Sequence, residues 1–326
     1  MFFPLCIGEL TLRIYAPRLS THDDFLRFSM NALEQGQSIG EYAKAIDQRD
    51  FAGDPAGRNL LGWSRTSNEY NSEAKRSILL LGDSVTQGDG LEPQEIYPYL
   101  LSRKLAGHDV KILNAGSSGY GIDQMLFKGL RESHKDRPDL ILFSFIPHDL
   151  IRVGKDFMYG RGKPKIIFDG DEASVQPAVN AGLRHGTYAD ALSSSSLLYW
   201  YLRYEIWPNT EYYAPGLYQD YYRKVYGYIY QQMGMLADEQ SLEVVFVKLT
   251  NSFEFRGVDT LIPIAEEVFA AGTAPHVSYY DIDECVGRKV DLNNPHVDEI
   301  FYFHPTAEGH RLFADCLAEL IATKLR

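Results

Sequence analysis

The sequence predicts an α/β fold, a doubly wound three-layer sandwich around a five-stranded, mostly parallel sheet. Three observations point to it: five short apolar runs, helical patterns between them, and runs that are continuous rather than alternating. The runs are Ser77–Leu81, Val110–Leu113, Leu140–Ile146, Leu242–Val247 and Val277–Asp281. A strand with one face in water alternates apolar and polar residues, whereas a continuous apolar run fits a strand covered on both faces. Helical patterns cover Pro93–Leu105, Asp123–His134, Tyr218–Glu239, Asp259–Ala271 and Pro305–Leu325. Strand–helix alternation of this kind folds with helices on both sides of a parallel sheet. In such sheets ligands bind beyond the carboxyl ends of the strands, so the residues just after each run are the candidates for chemistry.

The remaining organisation is read around that repeat. At 326 residues, 45% hydrophobic and 23% charged, the chain has the balance of an ordinary globular protein and is long enough for one elaborated domain with a substantial core. Residues 1–70 read as an N-terminal extension with helices around Phe25–Glu34 and Glu41–Asp47, and residues 71–326 as the main domain. An insertion at about 150–217 interrupts the alternation with a GRGKPK stretch, the Ser193–Ser196 run and many aromatics. A net charge of −12 repels phosphate backbones and anionic lipid, so no nucleic-acid partner is expected. Cys6, Cys285 and Cys316 support neither a disulfide framework nor a zinc ribbon; they allow at most one bridge, which leaves the compartment open. The apolar run Met1–Gly8 is too short to cross a bilayer, which takes about 20 residues, and no later stretch reaches that length. The apolar start is compatible with an anchor further upstream. No dinucleotide fingerprint, P-loop or tight ligand cluster is present, so neither a cofactor nor a metal is expected.

Four strand-end segments carry candidate chemistry. The first run ends in Gly82-Asp83-Ser84, where a serine directly after a buried strand exposes its hydroxyl at the sheet edge and the following helix N-terminus adds positive potential. Taken alone, Ser84 reads more readily as a helix cap. The second run leads into Asn114-Ala115-Gly116-Ser117-Ser118-Gly119-Tyr120-Gly121, whose glycines let a backbone N–H approach a ligand, or simply turn the chain. The third leads into Pro147-His148-Asp149-Leu150. Near the C-terminus, His304-Pro305-Thr306-Ala307-Glu308-Gly309-His310 opens the last helix, with proline at its first position holding His304 just outside it. A histidine there can take a proton from a serine across the sheet edge; His310, more than a turn further on, reads as structural or solvent-facing. Residues 199–230 hold eleven of the 22 tyrosines. They form either a sugar-stacking or acyl-binding wall or ordinary helix packing, and the helical spacing of Tyr218, Tyr221, Tyr222 and Tyr226 favours packing.

Together these segments resemble the SGNH (GDSL-type) hydrolase family. The match comprises Leu81-Gly82-Asp83-Ser84-Val85-Thr86-Gln87-Gly88, then Asn114-Ala115-Gly116-Ser117-Ser118-Gly119, then His304-Pro305, over about residues 60–326. The resemblance implies an SGNH/flavodoxin-like sandwich and a serine esterase with no cofactor. It implies Ser84 as nucleophile, His304 as general base, and the Ser84 and Gly119 amides as oxyanion donors. The family's third donor is the asparagine of Gly-x-Asn-Asp; here Ile146-Pro147-His148-Asp149 aligns with it, so His148 takes that place, and Asp83 and Asp149 are further site candidates. The family acid stands three residues before the histidine, where this chain has Phe301. Asp298 and Glu299 are the nearby carboxylates able to replace it; otherwise the site is a Ser–His dyad.

Further likeness falls on Leu61-Gly62-Trp63, Tyr120-Gly121-Ile122-Asp123-Gln124, Asp149 with Arg152, and Lys163-Pro164. These resemble SGNH proteins associated with bacterial exopolysaccharide or cell-envelope loci, and Glu9-Leu10-Thr11-Leu12-Arg13 is similar to the stretch that ends the N-terminal membrane segment of such relatives. The implied substrate is a small-molecule or glycan ester, such as an O-acyl group on a polysaccharide, and the implied location is the cell envelope, with the cytoplasm as the alternative. An O-acyltransferase using the same acyl-enzyme, or a non-catalytic glycan-binding or assembly protein, is the competing expectation.

Overall fold

The computed structural model describes residues 68–158 except 72, residues 161–178, 207–252 and 258–324, and positions 7, 8, 10, 11, 198 and 202. The helices expected at Phe25–Glu34 and Glu41–Asp47 lie outside the described residues. The chain divides into two compact units, Met1–Trp63 with Gly154–Ala214, and Ser64–Val153 with Pro215–Arg326.

The second unit is the sandwich. Its elements run β1 (Asn68–Tyr70), β2 (Arg76–Gly82), α1 (Ser84–Gln87), α2 (Tyr97–Lys104), β3 (Val110–Gly116), α3 (Ile122–Asp136), β4 (Leu140–Phe145) and α4 (Pro147–Arg152). They continue with α5 (Gln219–Gln240), β5 (Glu243–Lys248), α6 (Ile262–Ala270), β6 (Val277–Asp281), α7 (Asp283–Lys289), α8 (Pro295–Phe301) and α9 (Ala307–Lys324). The sheet order is β1-β3-β2-β4-β5-β6. Five strands are parallel, with Leu79 opposite Leu113 and Ile141, and Val244 opposite Val277. The sixth, β1, is a short antiparallel edge strand on β3 that no apolar run announces. Counting only the parallel strands, the order is 2-1-3-4-5, so the topological switch point falls between β2 and β4. That places the segments after Gly82 and Phe145 side by side at the sheet's carboxyl edge.

The continuous apolar strands are covered on both faces. Ile78, Leu80, Ile112, Leu142, Val245 and Val247 join a core with Leu101 of α2, Val286 of α7 and Phe313 of α9. On the opposite face Phe143 meets Phe246 at 4.9 Å between ring centroids, and Phe246 stacks on Phe269 of α6 at 4.3 Å. Cys285 of α7 and Cys316 of α9 form a disulfide; Cys6 lies outside the described residues.

Three helix starts differ from the sequence expectation by two residues or more. α2 begins at Tyr97, not Pro93, with Pro98 in its first turn, where no backbone donor is needed. α6 begins at Ile262 rather than Asp259, with Pro263 likewise in the first turn. α9 begins at Ala307 because Thr306, not Pro305, starts it: the Thr306 hydroxyl accepts from the Gly309 N–H at 3.5 Å and its carbonyl from the His310 N–H at 3.0 Å.

In the first unit the described residues form two hairpins. Phe157–Met158 pairs with Arg161–Gly162, and Lys165–Asp169 pairs with Glu172–Gln176 across a turn where Gly170 takes a positive φ. Buried Lys163 donates to the carbonyls of Lys155 and Pro164, and the Lys155 ammonium lies 4.5 Å from the Tyr212 ring centroid. A desolvated ammonium on an aromatic face replaces part of its lost hydration.

Candidate active site

Ser84 stands where β2 turns into α1. Gly82 is required at this turn, because a Cβ there would lie 1.8 Å from Thr86 Oγ1. Asp83 caps the turn, its Oδ1 accepting from the Val85 N–H at 2.9 Å and its Oδ2 lying 3.2 Å from Ser84 Oγ. α1 is a single turn closed by Gly88 in the left-handed region. The expected helix-terminus potential therefore reduces to individual backbone donors. Among the described residues, the Ser84 N–H and the N–H of buried Gly119 make no hydrogen bond.

The Gly119 turn is fixed from several sides. A Cβ on Gly116 would lie 2.3 Å from Gln87 N, so glycine lets this strand end press against α1. The Ser117 N–H donates to Gly82 O, the Ser118 N–H to Gln87 Oε1 and the Tyr120 N–H to Ser117 O, while Gly119 takes φ +79°. Lys128 of α3 reaches in from behind, its Nζ donating to Ser117 Oγ at 2.8 Å, and burial pulls its pKa down to about 8. Neither Gln87 nor Lys128 carries a sequence signal for this role, since each acts through a segment of chain it reaches only in the fold.

His304 Nε2 lies 2.9 Å from Ser84 Oγ, across 220 positions of sequence. The loop that presents it is held by backbone contacts. Asn251 Nδ2 donates to Phe303 O at 3.0 Å, the Ser252 N–H to Phe301 O at 3.2 Å, and Ser252 Oγ to Asp298 O at 2.7 Å. Phe303 adopts φ +49°, costly for a side chain of its size, and its ring lies 4.6 Å from that of His304. Asp298 and Glu299 are exposed on α8. Among the described residues, neither they nor any other carboxylate hydrogen-bonds or ion-pairs with His304. Phe301 is buried against Phe313 at 5.4 Å. His310 is buried too: its Nδ1 accepts from the Tyr97 N–H at 3.0 Å, and burial, then the neighbouring His304 charge, lowers its pKa to about 4.

His148, Asp149 and Arg152 lie on the single short helix α4 after β4, all buried. Arg152 Nη1 donates to Tyr120 O at 2.7 Å and Asp149 Oδ1 at 2.5 Å and approaches Asp83 Oδ2 at 3.4 Å; Nη2 lies 2.9 Å from His148 Nδ1. Asp149 Oδ2 accepts from the Ile146 N–H. Burial, then the Asp83 charge, raises the Asp149 pKa well above the usual carboxylate range. Arg152 is visible in the sequence only as part of a recurring phrase. Among the described residues no three His, Cys, Asp or Glu side chains converge to hold a metal ion.

No family model matches the chain, and no curated protein does. Solved structures do show likeness. TesA is 15% identical, covering 77% of this chain and 100% of its own, with a TM-score of 0.41. A lipase/acylhydrolase from Enterococcus faecalis is 16% identical, covering 77% and 97%, with a TM-score of 0.40. A catalytic mutant of Axe2, an acetylxylan esterase from Geobacillus stearothermophilus, is 12% identical, covering 76% and 94%, with a TM-score of 0.41. At such identities and scores, the reading of the site rests on the residues of this chain.

Proposed function

We propose that this chain is a serine ester hydrolase of the SGNH type acting on an O-acyl ester of a glycan. The observation that carries the reading is the 2.9 Å approach of Ser84 Oγ to His304 Nε2 at the switch point of the sheet. In the proposed reaction Ser84 Oγ attacks the ester carbonyl carbon while His304 Nε2 takes its proton. The tetrahedral oxyanion is met by the Ser84 and Gly119 N–H groups and by His148. Collapse breaks the bond to the alcohol, which leaves with the proton from His304. Water, deprotonated by the same nitrogen, then releases the acid from Ser84.

Replacing Ser84 with alanine is expected to abolish hydrolysis of p-nitrophenyl acetate, measured against heat-treated protein. An unchanged rate would exclude the mechanism. One observation favours a second reading, a non-catalytic glycan-binding protein: among the described residues no carboxylate hydrogen-bonds or ion-pairs with His304. Labelling by a fluorophosphonate probe separates the two, because only an activated Ser84 reacts stoichiometrically. The Cys285–Cys316 disulfide supports a protein that folds in an oxidising compartment, in keeping with the cell-envelope resemblance. Among the described residues no helix is long and apolar enough to cross a membrane.

A further inference from the structure

We infer that Arg152 is a positioning residue that fixes His148 as the Nε2-protonated neutral tautomer and thereby sets the third oxyanion donor. The inference rests on the esterase reading above and deepens it. A guanidinium has five N–H donors and no acceptor, so the 2.9 Å contact between Arg152 Nη2 and His148 Nδ1 is possible only with Nδ1 as acceptor. A neutral imidazole accepting at Nδ1 carries its proton on Nε2. A second proton on Nδ1 would set two N–H donors and two cations face to face. An asparagine amide has its donor built in, whereas a histidine in that place donates only in the right tautomer, and Arg152 supplies that choice.

Arg152 is itself rigidly held. It lies four residues after His148 and three after Asp149, on one face of α4. Its side chain is 3% exposed. Its other contacts fall on the segments that carry the remaining donors. Tyr120, whose carbonyl accepts from Nη1, follows Gly119; Asp83, 3.4 Å from the same nitrogen, precedes Ser84. One planar side chain therefore ties together all three donor-bearing segments. The surrounding charge agrees with a neutral imidazole. Asp83 and Asp149 both face Arg152 Nη1, so the cation that meets the imidazole is the guanidinium itself, through Nη2.

The test is ¹⁵N NMR of histidine-labelled protein at neutral pH, where protonated and unprotonated ring nitrogens are distinguished by shift. The signals of His148 are assigned by their loss in His148→Asn. The expected result is an unprotonated Nδ1 and a protonated Nε2. Arg152→Lys keeps a charge for Asp83 and Asp149 but lacks the fork that reaches His148, so His148 is expected to lose its single tautomer. In parallel kcat falls by about 10²-fold, the scale of one lost oxyanion donor, with KM little changed. In a His148→Asn background the same Arg152→Lys change is expected to cost less than about tenfold, because an amide has no tautomer to lose. An Nδ1-protonated or doubly protonated His148 in the unmodified protein would overturn the inference, as would an unchanged tautomer in folded Arg152→Lys. If Arg152→Lys does not fold, the spectrum of the unmodified protein alone decides. The predicted tautomer without Ser84-dependent hydrolysis would sink the esterase reading and leave the Arg152–His148 coupling standing.

Discussion

Phe301 stands where the resembling family carries its acid, and its ring is committed to the core against Phe313. A carboxylate at this position would face apolar side chains rather than the imidazole. Phe301→Asp is therefore expected to lose about 3–5 kcal/mol of stability from the missing ring alone, with a further cost for the buried charge, and to gain no turnover. Urea denaturation with a parallel esterase assay checks this; a stable, more active variant would show that the loop can build a triad after all. What orients His304 instead is the Asn251 amide on the Phe303 carbonyl and the Phe303 ring beside it. Such contacts hold the ring in place without supplying a negative charge to the imidazolium, so the proposed reaction relies more heavily on the oxyanion donors.

The short helix α4 has only six residues, and such a helix leaves most of its carbonyls without the regular i→i+4 partner. The long helix α5 supplies partners. Tyr226 donates to Leu150 O at 3.2 Å, Tyr222 to Ile151 O at 3.4 Å and Tyr221 to Val153 O at 3.0 Å. The tyrosine spacing read in the sequence as packing is thus also a clamp on the helix that bears His148 and Arg152. Removing two hydroxyls, in Tyr222→Phe with Tyr226→Phe, is expected to cost about 1–3 kcal/mol and to lower kcat by about tenfold as α4 shifts. Thermal melts and steady-state kinetics read the two effects separately, and an unaltered kcat with lowered stability would confine the clamp to folding. The strands were legible because burial on both faces leaves no alternation, and the segments that carry Ser84, Gly119, His148 and His304 stood out as candidates because each follows a strand or precedes a helix, their separate roles coming from the family resemblance. The contacts of Arg152, Gln87 and Tyr226 were not, because each depends on two elements meeting in space, up to 76 positions apart. β1 was missed because three residues at a sheet edge carry too little apolar pattern to register.

At the scale of the whole molecule, the bridge between Cys285 and Cys316 closes a loop of 31 residues in separation that contains α8 and His304. Three cysteines permitted one bridge without saying which, since pairing depends on α7 and α9 lying side by side. Closing a loop of that length removes unfolded-state freedom equivalent to about 3–4 kcal/mol on a chain-entropy account. Denatured, unreduced protein should titrate one thiol per chain, that of Cys6. The Cys285→Ser/Cys316→Ser variant should unfold at lower denaturant by about that free energy. Its turnover well below the transition should change little, because the His304 loop is also pinned by Asn251, Ser252 and the buried Phe301 ring. Thiol counting, denaturant unfolding and p-nitrophenyl acetate turnover on the same preparations test all three points. Lost turnover with retained stability would instead mean that the bridge governs the Ser84–His304 approach directly, and that the backbone pins alone cannot hold the histidine in place.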